Sequence, residues 1–166
     1  MEMRPSFDRR RYPDGARIAA WAAPDGWPLR TFDWPAAAPA RGSLLFLGGR
    51  GDIFEKYLEA FDHWRRLGWS IRAFDWRGQG GSGRLSADPM CGHAADFAPW
   101  VDDLAAFFDQ WVATSPGPHV VAGHSMGGHL TLRALAERRI EPQAAVLIAP
   151  MLGLKSAPFG PRLAAR

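Results

Sequence analysis

Apolar, strand-like runs alternate with amphipathic helical segments through the middle of this chain, and this alternation limits the fold more than any other feature. The continuous apolar run at residues 43–47 ends at Gly48-Gly49 and is typical of a strand buried on both faces. Further strands are predicted at residues 69–74, 120–122 and 144–148, and helices at 53–67, 99–112 and 126–138. Strands and helices in this order form a mostly parallel sheet with helices on both faces.

A different pattern occupies the first part of the chain. Strand-like segments at residues 17–23 and 29–34 flank Pro24-Asp25-Gly26, a turn signal, which predicts an antiparallel hairpin. The predicted fold class is therefore α/β, with an N-terminal hairpin joined to a mostly parallel sheet. The strand predicted at residues 144–148 has no helix after it, which would leave a sheet edge and an apolar face uncovered. We therefore interpret residues 1–166 as a single α/β core that is truncated at its C-terminus.

Composition excludes several classes of protein. With 47% hydrophobic and 22% charged residues the chain is globular, and no apolar run reaches the roughly 18 residues of a membrane span. Much of the basic excess lies at the two ends, without a basic stripe interleaved with aromatics, so we predict solvated tails and no nucleic-acid partner. Cys91 is the single cysteine, which excludes a disulfide within the chain and favours a cytoplasmic location.

The pentapeptide Gly123-His124-Ser125-Met126-Gly127 stands between a predicted strand and a predicted helix. A Gly-x-Ser-x-Gly motif requires this setting, because the sharp turn strains the serine backbone and places the hydroxyl above the carboxyl edge of the sheet. Side chains at positions 123 and 127 would collide with neighbouring elements, which explains the two glycines. We predict that Ser125 is a nucleophile; the alternative is an ordinary glycine-rich turn before a helix.

A second glycine-rich segment, residues 48–52, follows the first buried strand. Acyl transfer needs hydrogen-bond donors aimed at the oxyanion of the tetrahedral intermediate. In Gly-x-Ser-x-Gly proteins one donor is the backbone N–H of the residue after the nucleophile, here Met126, and the other comes from this loop. We assign the second donor to Arg50, although the segment taken alone would be interpreted as a plain turn.

Taken together, these segments resemble the monoacylglycerol lipase and lysophospholipase branch of the α/β-hydrolases, which is sometimes grouped with serine aminopeptidases. The matching segments are residues 48–52 with the helix after them, 75–82, 123–128 and 149–153. They recur in the family's order and spacing from about residue 14 to residue 154. One departure is that relatives often begin the first loop with His-Gly, where this chain has Gly48-Gly49.

The resemblance implies hydrolysis of a carboxylic ester, in particular a lysophospholipid or a monoacylglycerol, through an acyl-enzyme on Ser125. It implies no metal and no organic cofactor. It also implies a lid domain inserted near residue 154, so that the lid and the C-terminal strands of the fold are absent from this sequence. Such a protein would be able to contact the membrane periphery and to associate through the exposed sheet edge.

The acid and base that Ser125 needs are not evident in the sequence. In this fold the triad runs in the order Ser, Asp or Glu, His, yet only Glu137, Glu141 and His129 follow Ser125. His129 lies one turn along the same predicted helix and is interpreted as an ordinary helix residue, whereas His124 is interpreted as a pocket-wall or packing residue. Because an unassisted serine is a poor nucleophile, we expect these 166 residues alone to be nearly inactive.

Two classes of function therefore stay open. The chain is either the N-terminal part of an esterase or a non-catalytic pseudoenzyme that binds a lipid or a partner. Nucleotide binding is disfavoured, because the glycine-rich residues 78–83 lack the Lys-Ser/Thr ending of a P-loop.

Overall fold

A computed structural model describes residue 8 and residues 11–37, 39–91 and 94–153. Apart from Arg11, the basic residues of the two ends lie outside the described residues. The described elements are strands β1 (Arg17–Ala22), β2 (Pro28–Trp34), β3 (Gly42–Leu47), β4 (Trp69–Phe74), β5 (His119–His124) and β6 (Ala144–Ile148), with helices α1 (Leu58–Arg66), α2 (Ala98–Thr114) and α3 (Met126–Ala136).

The strands form one sheet in the order β1-β2-β4-β3-β5-β6. The strands β3, β4, β5 and β6 pair in parallel, and the β1–β2 hairpin joins the sheet antiparallel to β4. Leu47 pairs with both Phe74 and Gly123, so β3, β4 and β5 reach the same edge of the sheet. The predicted α/β fold is confirmed, and the loops that follow these three strands meet at one edge.

Side chains of β3 alternate between two core layers, as the pleat of a strand requires. Leu45 and Leu47 pack into a cluster with residues of α2 and α3. Leu44 and Phe46 pack on the opposite face, in a cluster that includes Phe61 of α1. All six residues of β3 are buried, and complete burial of one such side chain contributes about 1.5–3 kcal/mol. The apolar run therefore forms a central strand covered by helices on both sides.

Two element boundaries differ from the sequence prediction. The helix predicted at residues 53–67 is divided into a 3₁₀ turn, Phe54–Tyr57, and α1. The N–H of Phe54 donates to the Asp75 carboxylate at 3.3 Å, which ties this turn to the loop after β4. The strand predicted at residues 120–122 extends over His119–His124, because it pairs along that length with neighbours on both sides.

The strand β6 lies at one edge of the described sheet and pairs with β5. Val146 is 47% exposed and Ile148 is 37% exposed, although strands of a parallel sheet are usually covered on both faces. The uncovered apolar face expected from the sequence is therefore present. Among the described helices, none has the length and apolar character needed to cross a bilayer.

An ion-pair network centred on the buried Arg77 joins three segments at the edge of the sheet where β4 ends. Arg77, in the loop after β4, donates to both carboxylate oxygens of Asp103 in α2, at 2.6 and 2.8 Å. It also donates to Asp25 in the hairpin turn, at 2.6 and 2.9 Å. Hydrogen bonds from Arg77, assisted by the backbone N–H of Trp27, lower the pKa of Asp25 to about 2. The guanidinium therefore holds the hairpin turn and α2 against the same loop.

Replacement of Arg77 by alanine is expected to lower the free energy of unfolding by about 3–5 kcal/mol, because the buried Asp103 carboxylate loses its partner. Urea denaturation followed by tryptophan fluorescence measures this change. Arg133→Ala is the matched control, since Arg133 pairs with Glu137 on the surface of α3 and its loss should cost below about 1 kcal/mol. Equal, small losses in both variants would contradict a stabilising role for the network.

Candidate active site

Ser125 occupies the turn from β5 to α3 with a backbone conformation that residues other than glycine rarely adopt. Its φ is 53° and its ψ is −114°. The Ser125 N–H donates to the carbonyl of Ile148 at 2.9 Å, and the Ser125 carbonyl accepts from the N–H groups of His129 and Met151, at 3.0 and 2.9 Å. Strain of this kind persists only where surrounding contacts fix it, and strained residues concentrate at functional sites.

The glycines on either side of Ser125 allow three backbone segments to approach closely. A Cβ on Gly123 would lie 2.6 Å from the carbonyl oxygen of Gly127 in α3. A Cβ on Gly127 would lie 2.5 Å from the carbonyl oxygen of Gly48, which follows β3. Both distances are too short for real atoms, so the turn, α3 and the end of β3 can meet only with glycine at both positions.

Gly127→Ala should lower the free energy of unfolding by about 1–3 kcal/mol, since the new methyl group must displace backbone of the β3 end. Gly153→Ala provides the control, because a Cβ on Gly153 meets no atom within 4 Å. Urea midpoints of the two variants give the comparison. If Gly127→Ala is as stable as Gly153→Ala, α3 does not approach the end of β3 this closely in solution.

The loop at residues 48–52 passes directly beside Ser125. A Cβ on Gly49 would lie 3.2 Å from the Cβ of Ser125. Within this loop the Gly49 N–H donates to the Asp52 carboxylate at 3.0 Å, the Asp52 N–H donates to the Gly49 carbonyl at 3.2 Å, and the Gly51 N–H donates to the side chain of Gln79. The described residues offer no acceptor to the Arg50 N–H. The loop beside the serine therefore includes an N–H, that of Arg50, without an acceptor among the described residues.

Met126 supplies a second N–H near Ser125. It is the first residue of α3, and the first N–H groups of a helix have no acceptor within the helix. The partial positive charge of the helix N-terminus adds to the attraction of this position for a negative oxygen. The structure thus places the 48–52 loop, which contains Arg50, beside the turn that holds Ser125, Met126, Gly123 and Gly127.

A side-chain network lies behind this loop. The Asp52 carboxylate accepts hydrogen bonds from the ammonium of Lys56, the hydroxyl of Tyr57 and the N–H of Gly49. Burial opposes ionisation of Asp52, but these three donors outweigh burial and lower the pKa of its carboxyl. Burial, followed by the bond to Asp52, raises the pKa of the Tyr57 phenol, which therefore stays protonated at neutral pH.

The position of the Tyr57 proton determines the tautomer of His124. The Tyr57 oxygen lies 2.9 Å from Nδ1 of His124. Because the single phenolic proton is donated to Asp52, Nδ1 of a neutral His124 must carry its own proton and donate it to Tyr57. The interpretation of His124 as a packing residue therefore misses a hydrogen-bonded role.

Two of the residues after Ser125 that were considered as its acid or base, His129 and Glu137, bind elsewhere in the part of the chain that the structure describes. No hydrogen bond joins the Ser125 hydroxyl to a described histidine or carboxylate. The ring of His129 packs against Phe97, with ring centroids 5.8 Å apart. Glu137 pairs with Arg133 at 2.7 Å. In the described ranges no group of three His, Cys, Asp or Glu side chains has the spacing of a metal site.

Sequence reasoning missed the residues that hold the loop: Asp52, Tyr57, Trp76, Gln79 and His124. One of them carries a local signal, because Asp52 stands three residues after Gly49 and its carboxylate can turn back to that N–H. Tyr57 lies within the helix predicted at residues 53–67, and its ring contacts Phe46, with centroids 4.4 Å apart. Trp76 and Gln79 come from the next crossover of the chain, so spacing along the sequence does not reveal their contacts.

Comparisons with known proteins agree with this architecture. Residues 38–166 match the family model described as serine aminopeptidase, S33. Lysophospholipase L2 of Escherichia coli (strain K12) is 42% identical over 114 residues, which cover 67% of this chain and 33% of that protein. Probable lysophospholipase L2 of Haemophilus influenzae is 32% identical over 117 residues, which cover 69% of this chain and 36% of that protein. The chain therefore spans about a third of the length of the curated relatives it matches.

Solved structures show the same fold. The α/β-hydrolase GrgF from Penicillium sp. sh18 superposes with a TM-score of 0.70 at 21% identity, over 86% of this chain and 48% of that chain. A putative hydrolase from Agrobacterium vitis S4 superposes with a TM-score of 0.68 at 25% identity, over 90% of this chain and 60% of that chain. Since the family model matches well over half of its residues, this chain belongs to the serine aminopeptidase S33 family of the α/β-hydrolases and resembles its lysophospholipase members.

Proposed function

We propose that this protein is a serine hydrolase that cleaves carboxylic esters through an acyl-enzyme on Ser125. One observation carries the proposal: a strained serine, followed by Met126 at the start of α3, stands beside a loop in which the Arg50 N–H has no acceptor among the described residues. Family membership supports it independently. A structural turn alone would not need the strained serine.

In the proposed reaction the Ser125 oxygen attacks the ester carbonyl carbon as its hydroxyl proton passes to a base. The carbonyl electron pair moves onto oxygen, where the N–H groups of Arg50 and Met126 stabilise the negative charge. Collapse of this intermediate breaks the bond to the leaving oxygen, which takes the proton from the base and departs as the alcohol, and the acyl-serine that remains is hydrolysed by water to the free acid and Ser125. We propose that the base and its orienting acid lie outside these 166 residues, so that the chain alone is nearly inactive.

The substrate that we propose is a lipid-like ester, namely a lysophospholipid or a monoacylglycerol. Support comes from the two relatives, whose names state lysophospholipase activity. Such a substrate would bring the protein to the membrane periphery, and the single cysteine favours the cytoplasm. The exposed edge of β6 supports association with another chain through that edge.

Hydrolysis rates with a lysophospholipid, a monoacylglycerol and an aminoacyl arylamide test the substrate class. The product of the complete reading frame should cleave both lipid esters and leave the arylamide intact. Cleavage of the arylamide alone would show that the protein is a peptidase and not an esterase. Absence of any cleavage, together with no labelling by a fluorophosphonate, would identify a non-catalytic protein.

Ser125→Ala in the same protein should abolish fluorophosphonate labelling and reduce ester hydrolysis by at least about 10³-fold, because the nucleophile is lost. Ser115→Ala is the matched control, since Ser115 caps the far end of α2 and bonds there to the Trp111 carbonyl at 2.6 Å. Wild-type rates in Ser125→Ala would rule out the proposed acyl-enzyme.

Two substitutions at Arg50 distinguish the contribution of its backbone N–H to catalysis from that of its side chain. Arg50→Pro removes the N–H and should lower kcat by about 10²-fold or more, the effect of deleting one oxyanion donor. Arg50→Ala keeps the N–H and should leave kcat within about threefold of the wild-type value. Steady-state kinetics of both variants, with circular dichroism to establish folding, makes the comparison. Equal losses would assign the role to the guanidinium instead.

A further inference from the structure

We propose that Trp76 and Asp52 are positioning residues that fix the direction of the Arg50 N–H by holding the peptide unit between Gly48 and Gly49 from both ends. This inference rests on the proposed function, because it assigns these two side chains to the oxyanion site of Ser125. Neither side chain needs to touch substrate. Both act through the backbone of the 48–52 loop.

The two anchors bind opposite ends of one planar group. The indole N–H of Trp76 donates to the Gly48 carbonyl at 2.8 Å. The Gly49 N–H donates to the Asp52 carboxylate at 3.0 Å. Carbonyl and N–H of one trans peptide point in opposite directions, so hydrogen bonds to both fix the orientation of the whole plane.

The next peptide unit is oriented by the same aspartate. The Gly49 carbonyl accepts the Asp52 N–H at 3.2 Å. The Arg50 N–H belongs to that peptide and therefore points away from Asp52. The Gly51 N–H is occupied by the side chain of Gln79. Of the four N–H groups at residues 49–52, those of 49, 51 and 52 are thus bound within the protein, and the Arg50 N–H has no acceptor among the described residues.

Both anchors are themselves held in place. Trp76 is 2% exposed, and its ring lies edge-on to Phe74 with centroids 4.9 Å apart and stacks on Trp100 with centroids 6.2 Å apart. Asp52 is bound by Lys56 and by Tyr57, which links it to the residue before Ser125. An N–H that is held in place by buried side chains does not have to reorganise during the reaction. Oxyanion donors lower the activation free energy because they are preorganised in this way.

A loss of orientation should appear in kcat rather than in KM. The donor acts on charge that develops only in the transition state, so its misalignment leaves ground-state binding unchanged. Complete removal of one donor costs about 10²–10³ in kcat. A donor that is present but no longer held should cost less, about tenfold.

Trp76→Phe tests the first anchor, because it removes the indole N–H and keeps an aromatic ring against Phe74 and Trp100. The product of the complete reading frame is assayed for ester hydrolysis and for inhibition by an alkyl trifluoromethyl ketone, whose serine adduct carries an oxyanion. We expect kcat to fall about tenfold, inhibitor affinity to fall by a similar factor and KM to stay within about twofold. Trp34→Phe is the matched control, since it removes an indole bond to the Asp14 carbonyl at 3.2 Å in the opposite core layer.

A pair of substitutions tests the second anchor. Asp52→Asn keeps a carbonyl oxygen for the Gly49 N–H and should retain most of the wild-type kcat, whereas Asp52→Ala removes the acceptor and should lose about tenfold or more. A kcat near the wild-type value in Asp52→Asn shows that residue 52 acts by accepting the Gly49 N–H. A kcat as low as that of Asp52→Ala would show that the negative charge is required. Urea midpoints show which variants are folded. If Trp76→Phe loses activity because it is unfolded, the two Asp52 variants decide whether the loop is held by its anchors.

The possible outcomes separate this inference from the proposed function. Wild-type kcat in folded Trp76→Phe and Asp52→Ala, with Ser125→Ala inactive, overturns the positioning role and leaves the esterase proposal standing. A rise in KM at constant kcat also overturns it. Full hydrolysis by Ser125→Ala overturns both.

Discussion

Backbone contact between α3 and the end of β3 is the constraint on which the candidate site depends. The Cα of Gly127 lies so near the carbonyls of Leu47 and Gly48 that no Cβ fits between them. This contact brings the first turn of α3, which begins at Met126, against the end of β3 where the 48–52 loop starts. The site is therefore formed by packing of main chain on main chain, and side chains only refine it.

Buried ionic groups hold the surrounding loops at the same edge of the sheet. Arg30 of β2 binds Asp75 at 2.8 Å and Glu55 at 2.7 Å, which ties the hairpin to the turn before α1. Burial raises the pKa of Asp75 even though Arg30 and the N–H groups of Gly81 and Phe54 oppose it. Each of these groups is costly to bury unless its partners are in place, so loss of one partner leaves an uncompensated charge. The loops they join are those that surround Ser125.

The sequence was sufficient for those features that depend on local pattern. The alternation of strands and helices predicted the α/β sheet, and the uncovered β6 was expected because the sequence predicted no helix after residues 144–148. The setting of Ser125 between strand and helix was likewise predictable from its flanking glycines. The contacts of Trp76 and Gln79 were not, because a residue 28 positions from its partner carries no periodic signal. The division of the helix at residues 53–67 depended on the same kind of contact, with Asp75.

Under the proposed function, the described residues supply the serine and the oxyanion donors of an acyl-transfer site, and the base lies elsewhere. Placement of a serine and stabilisation of an oxyanion depend on backbone geometry, which β3, β5 and α3 supply among themselves. Proton transfer depends on a histidine within hydrogen-bond reach of the serine, and none of the described histidines has that position. Since the two contributions arise from different parts of the fold, the frame around Arg50 is complete wherever the base is found. Variants of Trp76 and Asp52 should therefore alter the stability of the oxyanion without altering the pKa that governs the rate.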